Sequence, residues 1–256
     1  YEIPTRLVGS VMCIRDMRCK LVQRLLSYIS NEKLYDCVRK VIYPTFLAIK
    51  EKEKTLYDNV IDPFSAVFDS IINKISLTQW LEVEKSRQVQ KTLQNGIGTF
   101  HQSLIGNIDG WEDLGTGQIV DLRNKDKKII AEVKNKFNTT KGNHKIAIYD
   151  DLNAKLKVIN DKEYLAYYVE IIRKSKTGYC KPFTPSDNKT HQRRGIHPQI
   201  KVIDGESFYA LATGSKTALV DLYKVLPIVI CDIVGYNVKM DKMYALLFEK
   251  AYNLKL

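Results

Sequence analysis

The sequence predicts an α/β fold with a central mixed β-sheet flanked by helices. Apolar residues recur at helical spacing from residue 31 to about 105, and period-two alternation replaces them between 119 and 133. A Tyr-, Val- and Ile-rich run at 164–172 then reads as a buried strand, followed by two helical stretches around Gly214 within 206–234. Helix, hairpin, helix, strand and helix in that order fit a sheet covered by helices.

Leu34, Val38, Val41 and Ile42 mark a helix expected to end near Tyr43, because Pro44 lacks the N–H a helix interior needs. Past the Asp62-Pro63 turn, Ala66, Phe68, Ile71, Ile72 and Ile75 suggest a second helix, read with the first as scaffold. Ser76 and Gln79 have the spacing of a capping box, and Val89, Leu93, Ile97, Phe100 and Leu104 carry a long helix to about Ile105, through Asn95-Gly96. The segment Gly106 to Gly117 is rich in turn residues. Strands are expected at Ile119–Leu122 and Lys128–Val133, joined by the polar stretch Arg123–Lys127. A helix is expected over 144–157, and 173–201 reads as loop.

Composition sets the bounds. With 256 residues, 45% of them hydrophobic, and only 13 Gly and 7 Pro, the chain has material for one core and little sign of disorder. The best apolar run, Val225–Val234, is interrupted by Pro227 and Asp232, so no membrane span is expected. Five cysteines without a Cys-x-x-Cys pair suit neither a disulfide framework nor a zinc site, and together with the absence of a signal-like start they point to the cytoplasm. Residues 1–27 are set apart as an N-terminal segment of unassigned status, since the chain opens on Tyr1 and Met12 and Met17 are alternative starts.

The chemistry concentrates in the hairpin. Alternation along Ile129–Lys134 places Ile129, Ala131 and Val133 on one face and Ile130, Glu132 and Lys134 on the other. An even-numbered hairpin connection brings Asp121 to the face of Glu132 and Lys134, whereas an odd one without a bulge turns it away. Two carboxylates beside an amine make a magnesium site, with Asp121 and Glu132 as ligands and Lys134 placed to orient or deprotonate a water that attacks a phosphodiester. Charges alternating on an exposed strand produce the same pattern by chance.

Charge placement supports the first reading. Between Ile171 and Lys201 stand Arg173, Lys174, Lys176, Lys181, Lys189, Arg193, Arg194 and Lys201 against the single acid Asp187, in a chain of net charge +11. Such a cluster suits a phosphate backbone, although a solvated basic loop looks the same. Arg193 and Arg194 also have the donor fork that reads guanine. Lys136, Lys141, Asn143 and Lys145 follow the second strand around Gly142, where they are expected to hold phosphate. The histidines at 101, 144, 191 and 197 show no metal-ligand spacing; His101 is expected to be partly buried and satisfied, and the other three are DNA contacts or surface residues. Tyr167, Tyr168 and Phe208 read as core.

The segments Ile97-Gly98-Thr99-Phe100-His101-Gln102, Gly110-Trp111-Glu112-Asp113-Leu114-Gly115, Val120-Asp121-Leu122 and Ile130-Ala131-Glu132-Val133-Lys134-Asn135-Lys136 resemble type II restriction endonucleases that cut GGNCC or GGWCC sites, within the PD-(D/E)XK nuclease superfamily. The resemblance extends through Gly142-Asn143-His144-Lys145, Tyr149-Asp150-Asp151-Leu152, the run from Lys181 to Thr190 and the run from Val202 to Gly214, and covers roughly 28–230.

The resemblance implies a restriction endonuclease-like core with an N-terminal helical part, in one domain over 28–256: a helical scaffold at 28–106, the catalytic hairpin and core at 107–172, a basic DNA-binding loop at 173–201 and C-terminal helices at 206–256. It makes Asp121 the first superfamily acid, with Val120 where that family has proline, and Glu132 and Lys134 the Glu-x-Lys. Gln102 stands near the place where some relatives carry an additional acid. Magnesium, duplex DNA as substrate, a homodimer matching a near-palindromic site, and a companion methyltransferase in a restriction-modification system are also implied. Two other readings remain at this point: a structure-specific nuclease of the same architecture acting in DNA repair or recombination, and a DNA-binding module whose carboxylates are only structural.

Overall fold

A computed structural model describes residues 24–256 apart from 116, 141, 188–191 and 237. In chain order these residues form α1 (Asn31–Glu51), α2 (Pro63–Asn73), α3 (Leu77–Gly106), β1 (Trp111–Asp113), β2 (Leu122–Asn124), β3 (Ile129–Lys136), α4 (Gly142–Ile159), β4 (Leu165–Ile172), β5 (Cys180–Pro182), β6 (Ile200–Asp204), α5 (Gly205–Thr213), α6 (Ala218–Val234) and α7 (Lys242–Tyr252). The strands make one mixed sheet in the order β1-β2-β3-β4-β6-β5. β3, β4 and β6 run parallel at its centre, and the outer pairs are antiparallel. The α/β class read from the sequence is the one found.

Strand alternation divides the core into two layers. Ile129, Ala131, Val133, Tyr167, Val169 and Ile203 face a large layer built with α1, α3, α5, α6 and α7. Ile130, Ala166, Tyr168, Ile200 and Val202 face a smaller layer under α4, formed with Ile148, Leu152 and Leu156. Glu132 and Lys134 share the parity of this smaller layer.

Local chemistry sets the helix ends. Ser30 accepts from the Lys33 N–H, Asp62 from Phe64 and Ser65 with Pro63 in the first turn, and Ser76 and Gln79 form the reciprocal capping box. α3 passes through Asn95-Gly96 without a break, and Gly96 is where α1 comes close: a Cβ there would lie 3.2 Å from Val41 Cγ1.

The expected stop at Pro44 does not occur, since α1 continues to Glu51. The proline removes one backbone bond, but Val41 and Ile42 on the preceding turn pack against the core, and the Thr45 hydroxyl donates to the Val41 carbonyl at 2.8 Å. Packing of the turn before the proline, with the Thr45 hydroxyl bond, offsets a propensity cost of about 3 kcal/mol.

The hairpin also differs in register from the expectation. Its turn is Lys125–Lys128, and Arg123 and Asn124 belong to the ladder. Asn124 Oδ1 accepts from the Lys127 N–H at 2.8 Å, which closes the turn, and Arg123 forks onto Glu112 of β1 at 2.6 and 3.0 Å. Lys127 Nζ then donates to the Leu211 and Ala212 carbonyls at the end of α5, pinning the turn to the body of the domain. The supposed turn segment Gly106–Gly117 contains β1, and the supposed loop 173–201 contains β5 and the start of β6.

His101 packs between Phe100 and Tyr209, with its Nδ1 2.8 Å from the Tyr209 hydroxyl. It keeps some exposure, yet the enclosure of its ring pushes its pKa down to about 4. The unfolded chain therefore takes up this proton near pH 6.5 and the folded chain only near 4, so stability should fall as pH drops across that window. The loss should be on the order of 3 kcal/mol, at about 1.4 kcal/mol per pKa unit, and denaturant titrations of wild type and His101→Gln between pH 7 and 4 should show a shallower slope for the variant.

A Cβ at Gly106 would lie 2.5 Å from Asp113 Cβ and 2.8 Å from the Asp113 nitrogen. Gly106→Ala should therefore push β1 off the end of α3 and lower stability by about 1–3 kcal/mol in chemical denaturation.

Candidate active site

The even turn has the consequence that register demands. Leu122 pairs with Ala131 and enters the large layer with it, so Asp121, one residue earlier, turns to the face of Glu132 and Lys134. The Asp121 N–H donates to the Ala131 carbonyl at 3.0 Å, and its carboxylate accepts from the Val133 N–H at 2.7 Å. Lys134 Nζ lies 2.5 Å from Glu132 Oε1 and 3.8 Å from Asp121 Oδ2. The three side chains are only 15–26% exposed, with Glu132 at 15% and Lys134 at 26%. They open to solvent without projecting into it.

Burial dominates the electrostatics here. It raises the pKa of Asp121 against the opposing pull of the Val133 N–H and Lys134. Glu132 is raised by burial first and by the Asp121 charge second. The two carboxylates therefore titrate as a pair and keep a proton above the ordinary carboxylate range. A group that supplied positive charge would be bound with release of that proton. Two hard oxygen donors suit a small divalent cation that keeps several of its own waters, and no group of three or more His, Cys, Asp or Glu that could hold a metal occurs among the described residues.

The structure adds groups that the sequence reading passed over. Glu132 pairs in register with Tyr168, and Lys134 with Glu170, on β4. Glu170 is buried, accepts from Lys145 Nζ at 2.6 Å, and takes a hydrogen bond from the Tyr179 hydroxyl at 2.5 Å. The Lys145 ammonium also lies 5.2 Å from the centre of the Tyr168 ring, which stacks on Phe183 at 4.7 Å. The Tyr168 hydroxyl is buried, and burial, helped by the Glu170 and Glu132 charges, raises its pKa to about 12 against the opposing interaction with Thr140. A carboxylate inside the otherwise apolar run Tyr167-Tyr168-Val169-Glu170-Ile171-Ile172 was the available signal for this network. At the rim, Gln102 donates to Asp113 at 2.8 Å, and the Asp113 charge acts on Asp121.

The expected DNA contacts separate into groups. Lys136, Asn143, Lys181 and Arg193 are exposed, with Lys181 Nζ 5.2 Å over the Tyr179 ring. Lys145 is held by Glu170 and the Phe137 carbonyl. Arg194 forks onto Asp150 of α4 at 2.6 and 3.1 Å, so its donors tie the loop to the helix. Arg173, counted in the basic cluster, is buried between Asp204 and Glu206 and donates to the Tyr252 carbonyl, so it anchors α7 and offers no surface charge. Lys141, Lys189 and His191 lie outside the described residues. His144 is exposed on the first turn of α4, and His197 Nδ1 accepts from the Gln199 N–H.

A mixed sheet with helices on both faces, presenting two carboxylates and a lysine from a hairpin and its adjoining strand, defines the class of restriction endonuclease-like nucleases. The model of the Eco47II restriction endonuclease family matches residues 26–235, and the chain belongs to that family. It is 43% identical over 205 residues to the type II restriction enzyme Eco47II of Escherichia coli, covering 79% of this chain and 85% of that one. It is 33% identical over 223 residues to the type II restriction enzyme Sau96I of Staphylococcus aureus, covering 83% and 82%. The protein is a type II restriction endonuclease that cleaves DNA site-specifically. The repair nuclease and the non-catalytic module give way to this reading. No helix among the described residues is long and apolar enough to cross a membrane.

The raised carboxylates imply a stability cost that removal of one charge relieves. A folded-state pKa above the unfolded value means that stability falls as pH rises through the carboxylate range. Glu132→Gln should accordingly melt no lower than wild type at pH 7 without added metal, and the difference should vanish near pH 4; a marked loss of melting temperature at pH 7 would contradict this.

Proposed function

We propose that the chain hydrolyses both strands of duplex DNA at a GGNCC- or GGWCC-like site, with Asp121 and Glu132 holding magnesium and Lys134 acting on the attacking water. The observation that carries this is the meeting of the three side chains on one sheet face, with the lysine within 3.8 Å of both carboxylates. Asp121 and Glu132 would hold magnesium, which when bound would lower the pKa of a water and set positive charge against the phosphate oxygens. The Lys134 ammonium, held by Glu132, would orient an attacking water by donating to it and would screen charge developing on the phosphate. Glu170 and Lys145 fix the adjoining strand and helix, which keeps Lys134 and Glu132 in register.

DNA approaches the ends of β3 and β4, where Lys136 closes β3 and Asn143 opens α4, and where the exposed Lys181 and Arg193 add positive charge. Lys141 and Lys189 are assigned to the same backbone contacts from their places in the sequence, and Lys145 and Arg194 serve it by positioning α4 and the loop. A near-palindromic site calls for two copies of the chain, and a cytoplasmic methyltransferase protecting host DNA completes the restriction-modification system. The kinship to two type II restriction enzymes supports DNA as the substrate of this site.

Digestion of phage DNA with magnesium should give discrete fragments, and sequencing their ends reads both site and cut position; smears or structure-dependent nicks would reject site-specific cutting. Asp121→Asn, Glu132→Ala and Lys134→Ala should each slow cleavage by about a hundredfold or more while duplex binding in calcium is retained. Near-normal cutting by any of these variants would remove that residue from the catalytic group. Cleavage should also fall on acidification at a pH above the ordinary carboxylate range, because the pair holds its proton there.

A further inference from the structure

α2 carries Phe64, Val67, Phe68, Ile71 and Ile72 at the i, i+3, i+4, i+7, i+8 spacing that draws one apolar stripe along a helix. Such a stripe ordinarily faces the core. Here the buried positions are Ala66 and Ser70, and Asp69 accepts from the Trp80 indole N–H of α3 at 2.9 Å. The stripe stands in solvent, exposed from 48% at Val67 to 76% at Phe64. Val60 before the helix and Leu77 after it are also exposed and lengthen the patch.

These side chains present on the order of 700 Å² of apolar surface, scaling about 150–250 Å² for a whole aromatic ring and less for aliphatic groups by their exposure. The largest such patch on a typical monomer is about 300–600 Å², and a stable pair removes roughly 800 Å² from each partner. The surface therefore has the area of one side of a dimer.

Charge selects the occupant. From Thr55 to Asn73 there is no Lys or Arg, only Asp58, Asp62 and Asp69, in a chain with 40 basic residues. A phosphate backbone finds nothing to neutralise here, whereas two chains of net charge +11 meet at this face without opposing their basic groups. The exposed apolar residues near α6 and α7, such as Tyr236, Met240 and Leu247, lie among Lys239, Lys242 and Lys250 and lack this property.

We propose that α2 packs its stripe against the same stripe of a second copy, across a two-fold axis running between the paired helices. The proposal rests on the restriction-enzyme reading only in that a near-palindromic site gives the axis a use.

Sedimentation equilibrium of the full chain at micromolar concentration, without DNA, tests it. Wild type should be a dimer; Phe68→Asp with Ile72→Asp should raise the dissociation constant at least a hundredfold with an unchanged circular dichroism spectrum, since both positions are solvent-facing; and Phe68→Leu with Ile72→Leu, which keeps both positions apolar, should leave the dissociation constant within about tenfold of wild type. If the double variant unfolds, Phe64→Glu alone gives the same reading. A wild type that stays monomeric with and without specific duplex, or charged variants that stay dimeric, would overturn the interface. A dimeric wild type unable to cut DNA would refute the nuclease mechanism and leave the interface standing.

Discussion

The placing of Asp121 on the sheet face of Glu132 and Lys134, one residue past the Leu122–Ala131 pair, is the constraint on which the candidate site depends. It is set by the four residues Lys125–Lys128, because one residue more or fewer without a bulge would rotate Asp121 into the layer of α1 and α3. Three bonds secure the register: Asn124 closes the turn, Lys127 ties it to the end of α5, and the Val133 N–H holds the Asp121 carboxylate. The last of these uses a backbone donor of β3 itself, so the acid is fixed to the strand that carries Glu132 and Lys134. A loop that looks like a connector thus decides which sheet face Asp121 takes.

The same sheet face then carries an unusual amount of charge for its burial. Glu132 and Lys134 on β3 sit beside Tyr168 and Glu170 on β4, and Asp204 follows on β6. The inner carboxylates are fully answered: Glu170 by Lys145 and Tyr179, and Asp204 by Arg173, Ser207 and the Tyr179 N–H. Asp121 and Glu132 share one ammonium between them and remain raised in pKa. Completeness of partners separates scaffold from site: the satisfied acids lock strands and helices, and the incompletely satisfied pair is left able to take up a cation.

Much of this was legible in the sequence, and the failures have physical causes. Alternation along Ile129–Lys134 gave the faces of β3, because each apolar residue on one parity had a core to enter. The hairpin turn was misplaced since Arg123 and Asn124 look like loop residues until Glu112 of β1 supplies a partner. β1 and β5 span three residues each, too short for a period to declare itself. Pro44 stopped the helix on paper because propensity is local, and the packing of Val41 and Ile42 is not. Charge counts misled in a similar way: Arg173 and Arg194 add to the basic tally of 171–201, yet one is buried and the other is tied to Asp150, and only partners distant in sequence reveal this.

α2 inverts the usual inference from amphipathicity. A periodic apolar stripe states that a helix has a surface to bury, and the sequence alone does not say against what. In α1 and α3 the burial is internal, and Leu34, Phe100 and Leu104 complete the large layer. In α2 the small residues Ala66 and Ser70 meet α3 instead, which lets the helix lie close and leaves its bulk outside. An exposed stripe of this size is costly for a lone chain in water, by about 25 cal/mol for each Å² that a partner would cover. A partner covering the stripe would recover that cost, and this gain is the physical basis on which α2 can act as a docking face.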